Sequence, residues 1–209
     1  MTDFEKFIQE SKGLIFDCDG TLVDSMPLHM KAWDHAFTAH NAVYDRHFLG
    51  KLNGMREIDI INKYNDAFNH ALDPQKIVND KHLFFREQLA DLKSVEKIAD
   101  IAKSNFGVKP MAVVSGSFAE IVHAELKVIG IYHYFQTIIT ADDPFKPKPD
   151  PECFLEAAQR IGIDPQDIVV FEDGDQGLIA AQNAGMKTID VRQFMQYYGP
   201  DKNSFIMSK

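Results

Sequence analysis

An α/β fold, with a doubly wound parallel sheet and an all-helical insertion after its first strand, is what this sequence predicts. Three observations lead there. Short apolar runs alternate with helix-patterned stretches along the second half of the chain, the arrangement of strands and crossover helices. Between residues 24 and 90 apolar residues recur at helical spacing with no clear strand among them. Polar residues suited to chemistry (Asp17, Ser115 and Asp173) stand at or just past the carboxyl ends of the apolar runs, where open parallel sheets bind ligands.

Taken in order, residues 1–12 carry Phe4, Phe7 and Ile8 and predict a short lead-in helix. Residues 13–17 begin with the unbroken run Leu14-Ile15-Phe16, which suits a strand buried on both faces. Ser25 and Pro27 mark a helix start, followed by Met26, Met30, Trp33 and Phe37 at helical spacing. Further helices are expected over 56–68, through Ile58, Ile61, Tyr64 and Phe68, and over 74–89, through Ile77, Phe84, Phe85 and Leu89. Residues 94–106 form the helix that returns to the main domain. Strands then fall at 111–115, 136–140, 168–172 and 187–191. Helices are expected from Ser117, where Ser117 and Glu120 have capping-box spacing, over 151–161 and over 175–184. Residues 192–209 hold Tyr197, Tyr198 and Phe205 without a readable period. The domain organisation expected is a core of residues 1–23 and 91–209 with a cap of residues 24–90.

With 209 residues the chain can bury a sizeable core. Its net charge of −9 speaks against nucleic-acid or anionic-membrane partners, which need a basic footprint. Two cysteines, Cys18 and Cys153, imply no disulfide framework. The acidic start lacks the zones of a secretion signal, and no apolar run approaches the roughly 18 residues needed to span a bilayer. A cytoplasmic monomer is the expectation.

The chemistry centres on residues 13–22, Gly-Leu-Ile-Phe-Asp-Cys-Asp-Gly-Thr-Leu. Two acids ending a buried strand are costly unless they serve something, and a cation is the inexpensive solution. Asp17 can offer a carboxylate to a hard metal while Asp19 adds its backbone carbonyl and keeps its side chain free. This Asp-x-Asp-Gly-Thr-Leu pattern resembles the first motif of the haloacid dehalogenase superfamily, in its phosphotransferase branch. Three further stretches resemble that family's later motifs in order: Val-Val-Ser-Gly-Ser around Ser115, Lys146-Pro147-Lys148-Pro149-Asp150, and Glu172-Asp173-Gly174-Asp175.

The resemblance implies a role for each. Asp17 would attack a phosphoryl group to give an aspartyl-phosphate, and Asp19 would protonate the leaving oxygen and later take a proton from water. The Ser115 hydroxyl and the amides from Gly116 onward would cradle phosphate. Lys146, the first lysine of its motif, would balance the charge of the site; alternating prolines keep that segment extended, so Lys148 is expected to face elsewhere. Asp173, with Glu172 directly or through water, would complete a Mg²⁺ site with Asp17 and Asp19.

The helical insertion resembles the four-helix cap of the β-phosphoglucomutase-like branch. His29 matches its hinge histidine, and Arg56 the arginine that reads a substrate's distal end. Lys81, on a helical face between Ile77 and Phe84/Phe85, either snorkels to solvent or points into the cleft. The implied activity is a Mg²⁺-dependent phosphatase acting on a small phosphate ester, expected to be a sugar phosphate, as in bacterial fructose-1-phosphate-type phosphatases. The alternatives are a sugar-phosphate mutase using the same aspartyl-phosphate and a non-catalytic sugar-phosphate-binding protein.

Overall fold

The apolar runs pair into one parallel sheet in a computed structural model that describes residues 3–52 and 55–195. Its strands are β1 (Gly13–Phe16), β2 (Met111–Val114), β3 (Thr137–Ile139), β4 (Ile168–Glu172) and β5 (Lys187–Asp190), in the order β3-β2-β1-β4-β5. β1 is central and buried throughout, as its sequence predicts. Phe16 lies opposite both Val113 and Phe171, so the ends of β1, β2 and β4 form one edge. Four of the five strands stop a residue short of the predicted ends, which leaves Asp17 and Ser115 just beyond the ladder. Their amides still donate into it, Asp17 N to Phe171 O at 2.9 Å and Ser115 N to Ile139 O at 2.9 Å.

Alternation along the strands separates two cores. Leu14, Phe16, Met111, Val113, Val169 and Phe171 face one side with Ile98, Ala102, Val122 and Leu126. Ile15, Ala112, Val114, Ile168 and Val170 face the other with Phe154, Ala157, Ala180 and Ala181. The covering helices are α1 (Asp3–Glu10), α6 (Glu96–Asn105), α7 (Ala119–Val128), α8 (Glu152–Ile161) and α9 (Asp175–Asn183). Phe16 stacks on Phe171 with ring centroids 4.7 Å apart. Burying side chains of this size is worth roughly 1.5–3 kcal/mol each, so both faces of β1 anchor the site at its end.

Between β1 and β2 the chain builds the helical cap from α2 (Met26–Ala39), α3 (Arg46–Gly50), α4 (Glu57–Phe68) and α5 (Pro74–Arg86). Trp33, Phe37, Ile60, Ile61, Tyr64, Ile77 and Val78 form its own core. Leu28, Ala32 and Phe85 seat it on Ile121 of α7. The five-residue α3, too short to show a period, is absent from the sequence reading; the Asp45 side chain caps it by accepting from Phe48 N at 2.9 Å. α5 ends before its predicted limit, and Leu89–Asp91 forms a separate 3₁₀ turn.

Two expected caps are corrected. α7 begins after Phe118 with no side-chain cap, so Ser117 and Glu120 form no capping box; Glu120 pairs with Arg86 at 3.0 Å. Ser25 precedes α2 as expected but its hydroxyl caps nothing. Both serine hydroxyls turn to Asp19 instead, a buried carboxylate being a stronger acceptor than a helix start is a donor array. The two crossings into the cap run side by side, with an antiparallel bridge between Val23 and Ser94. Asp24 N donates to Lys93 O at 2.8 Å and Val95 N to Leu22 O at 2.9 Å. Tyr197, Tyr198 and Phe205 lie outside the described residues.

Candidate active site

Asp17 leaves β1 buried, with 4% of its surface exposed. Gly20 then turns the chain with φ +77°, and a Cβ there would stand 2.4 Å from Asp173 Oδ2. Only glycine lets the first loop approach the end of β4 this closely. A second glycine does the same from below: a Cβ on Gly177 in the first turn of α9 would lie 1.7 Å from Glu172 Oε1. The result is that carboxylate oxygens of Asp17, Glu172 and Asp173 lie within 4.8 Å of one another, all three residues buried. Thr21 Oγ1 donates to Asp173 Oδ1 at 3.3 Å, and Gly174 N donates to Glu172 Oε2 at 2.6 Å.

The lysine at this cluster is Lys148, not Lys146. Lys148 Nζ lies 2.7 Å from Asp17 Oδ1, 2.7 Å from Glu172 Oε1 and 3.0 Å from the Val114 carbonyl oxygen. The Lys146 side chain is 73% exposed and reaches only Asp150, at 3.7 Å. The physical reason is a frame shift of two. Lys148-Pro149-Asp150-Pro151 repeats the Lys-Pro-x-Pro pattern, and Pro151 is the residue from which α8 starts. The two lysines do face different ways, but not because the segment stays extended as expected, since residues two apart in extended backbone share a side. The chain turns here instead, Asp150 N donating to Pro147 O at 3.0 Å, so that the second lysine faces in. Burial would lower the Lys148 ammonium, yet the charges of Asp17 and then Glu172 outweigh it and hold its pKa raised.

Three buried carboxylates exceed the single charge of Lys148. Burial first, then Glu172 and Asp173, push the Asp17 carboxyl well above its ordinary range against the pull of Lys148. Excess buried negative charge presented on oxygen donors fits a hard divalent cation. Asp17 and Asp173, with Glu172 behind them, are the residues that could hold one.

Asp19 faces the cap rather than this cluster. Its carboxylate accepts from Ser25 Oγ at 2.8 Å and Ser117 Oγ at 2.7 Å, and lies 2.5 Å from His29 Nε2. Burial raises the Asp19 carboxyl, but His29 and the Ser117 hydroxyl overcome it and hold its pKa below the usual carboxylate range. His29, stacked on Phe85 at 4.2 Å, is lowered by burial and by Lys81. A neutral imidazole donating Nε2–H to an ionised Asp19 satisfies both directions. Beneath them lies the fully buried Glu125, whose Oε2 accepts from the Cys18 thiol at 3.4 Å. Burial and then the nearby Asp19 charge raise the Glu125 carboxyl well above its usual range.

A cleft opens over these groups, lined by Asp17, Asp19, Ser115, Gly116, Ser117 and Asp173 from below and by His29, Trp33 and Lys81 from the cap. Ser115 Oγ accepts from Ser117 N at 3.0 Å, closing the turn expected to cradle phosphate. Of the two alternatives for Lys81, the structure takes the inward one: it is 1% exposed, ion-paired to Glu57 and 4.9 Å over the Trp33 ring. Glu57 also meets His82 Nε2 at 2.5 Å; Lys81 and His82 outweigh burial and hold its pKa lowered to about 2. Arg56 is not on this cleft wall. Its guanidinium donates to the backbone oxygens of Asp143 (3.0 Å) and Phe145 in the loop after β3, and it lines a smaller side pocket with Ser115, Lys146 and Lys148. The sequence reading missed Lys148, Ser25, Ser117, Glu57 and Glu125. A signal existed for Glu57, a charge just before Ile60 and Ile61 on a buried face.

A parallel sheet with an acid pair at its central strand end, a lysine between two carboxylates and a helical roof defines a phosphoryl-transfer hydrolase. The chain belongs to the haloacid dehalogenase-like hydrolases, whose family model matches residues 14–191. It is 39% identical over 180 residues to fructose-1-phosphate phosphatase YqaB of Escherichia coli K12, covering 86% of this chain and 96% of that protein. It is also similar to hexitol phosphatase A of the same organism, at 28% identity over 86% of this chain and 82% of that one. Among solved structures, β-phosphoglucomutase from Clostridium difficile superposes with a TM-score of 0.72 at 23% identity, over 85% of this chain and 83% of that one, a likeness of fold. The chain is thus a haloacid dehalogenase-like phosphatase, a phosphoric monoester hydrolase. Among the described residues no helix is long and apolar enough to cross a membrane.

Proposed function

We propose that this phosphatase hydrolyses a sugar phosphate through an aspartyl-phosphate on Asp17, with residues 24–90 as the cap and the remainder as the core. The observation that carries the reading is the convergence of Asp17, Lys148, Glu172 and Asp173 at the end of β1, beneath a cleft roofed by Trp33 and Lys81. The similarity to a fructose-1-phosphate phosphatase supports the sugar.

Asp17 and Asp173, with the Asp19 carbonyl and Glu172 in support, would hold Mg²⁺, which supplies positive charge to the phosphoryl oxygens when bound. Lys148 keeps Asp17 oriented and its charge matched. An Asp17 oxygen forms the bond to phosphorus as the ester P–O bond breaks, and the leaving oxygen takes a proton from Asp19. Asp19, now ionised, takes a proton from water as that water attacks phosphorus; orthophosphate leaves and the Asp17 carboxylate returns. The ionised Asp19 with three donors is the proton-accepting state of this cycle. The cap excludes bulk water and large substrates.

The test is orthophosphate release from hexose, pentose and two-carbon phosphates. Release from hexose phosphates that stops with EDTA and returns with Mg²⁺ is expected. No release from any sugar ester refutes the reading; interconversion of β-glucose 1-phosphate primed with the bisphosphate, without release, assigns a mutase instead.

A further inference from the structure

The cleft has two ends with different chemistry. Its floor carries the reacting groups, and its far wall is mainly apolar, including Trp33, Leu49, Met55 and Ile60. Three cap cations lie near that wall, and their engagements differ. Lys81 is neutralised by Glu57. Arg56 is turned out of the cleft onto the backbone oxygens of Asp143 and Phe145. Arg46 lines the cleft beside Tyr44, and among the described residues no carboxylate lies within ion-pair distance of it. Asp45, the acid next to it in sequence, has its side chain on the amide of Phe48. Arg46 thus presents a guanidinium that no carboxylate compensates, hydrogen-bonded to the Tyr44 side chain with further donors of its rigid fork to spare, on a mainly apolar wall. In such a pocket the few polar groups set ligand orientation and selectivity.

We propose that Arg46 determines specificity by hydrogen-bonding oxygen atoms at the end of the substrate remote from the ester, so that polyhydroxylated phosphate esters are selected over the bare phosphate group. The inference rests on the phosphatase reading above for the position of the ester end, and it moves the distal-end role expected of Arg56 onto a residue of α3. Replacing Arg46 removes its donors without touching the reacting groups, which lie on the cleft floor. The wall left behind is mainly apolar, and the charged donor it still carries, Lys81, is held by Glu57.

The deciding measurement is calorimetric binding, with Mg²⁺ present, to full-length protein carrying Asp17→Asn so that nothing turns over. The preference for hexose 1-phosphate over inorganic phosphate is compared with that of the same protein carrying Arg46→Ala. Arg46→Met, which keeps the length of the side chain, is the second variant should alanine disturb α3. At least a fivefold fall in the preference is expected. A smaller change, or no preference in the parent protein, overturns the assignment. Failure of the phosphatase reading shows elsewhere, as absent orthophosphate release by the unmodified chain, and leaves the binding ratio readable.

Discussion

Replacing Lys148 by Met tests the central feature of the site, and Lys146→Met is its control. The Lys148 ammonium stands 2.7 Å from each of two buried carboxylates and 3.0 Å from a carbonyl oxygen. At an effective dielectric of about 20, each 2.7 Å pair carries roughly 6 kcal/mol of gross attraction. Much of that offsets the cost of burying the ammonium. What matters for rate is the charge available as phosphoryl oxygens accumulate around Asp17; losing one such preorganised group typically costs about 10²–10³ in turnover. We expect Lys148→Met to lower kcat/KM for a hexose phosphate by that factor. Lys146, 73% exposed and paired loosely with Asp150 at 3.7 Å, should be replaceable with less than a twofold change, since exposed pairs contribute little. Steady-state kinetics on both variants, with circular dichroism to confirm folding, decides. A hundredfold loss in Lys146→Met beside a near-normal Lys148→Met refutes the reasoning and restores the earlier frame.

Two other perturbations follow from buried groups. Glu57→Gln leaves the Lys81 ammonium buried without its carboxylate, which should cost on the order of 3–5 kcal/mol in urea unfolding at pH 7. The Glu57 pKa is lowered from 4.5 to about 2, so its stabilisation is complete above the unfolded value and disappears as pH falls through about 2; the gap between variant and parent should close over that window, and a gap independent of pH excludes the ion pair as its source. Gly177→Ala would set a methyl 1.7 Å from Glu172 Oε1, forcing that carboxylate off Lys148. A loss of tenfold or more in kcat/KM with secondary structure retained is expected, and parent-like kinetics would show that Glu172 need not stay where it is.

Much of the core was legible because its signals are local. Leu14-Ile15-Phe16 followed by Asp17, and Val169-Val170-Phe171 followed by Glu172 and Asp173, are buried strands ending in acids, and the sheet brings those ends together. The lysine was not legible for the opposite reason. Two overlapping Lys-Pro-x-Pro frames share the stretch 146–151, and the turn at Pro147–Asp150 that sets the two lysines apart is not announced by the prolines alone. Which lysine faces in depends on where α8 attaches, a tertiary fact. Ser25 and Ser117 near helix starts read as caps; only the fold reveals the carboxylate between them. Glu57 and Lys81 meet across α4 and α5, 24 residues apart, and no spacing rule connects them. Helix α3 left no trace because five residues do not complete two turns.

The paired crossings at Leu22–Asp24 and Lys93–Val95 carry a consequence for how the roof lifts. Two separate tethers would let the cap swivel and slide; stitched together they behave as one ribbon that bends about a single axis. Asp19 bridges to Val23 at the foot of that ribbon, and Ser25 and His29 ride on the part that swings. A bend of that ribbon would carry Ser25 and His29, two of the three donors to Asp19, away together. Admission of substrate and the basicity of the group proposed to handle its proton would then be set by one and the same hinge.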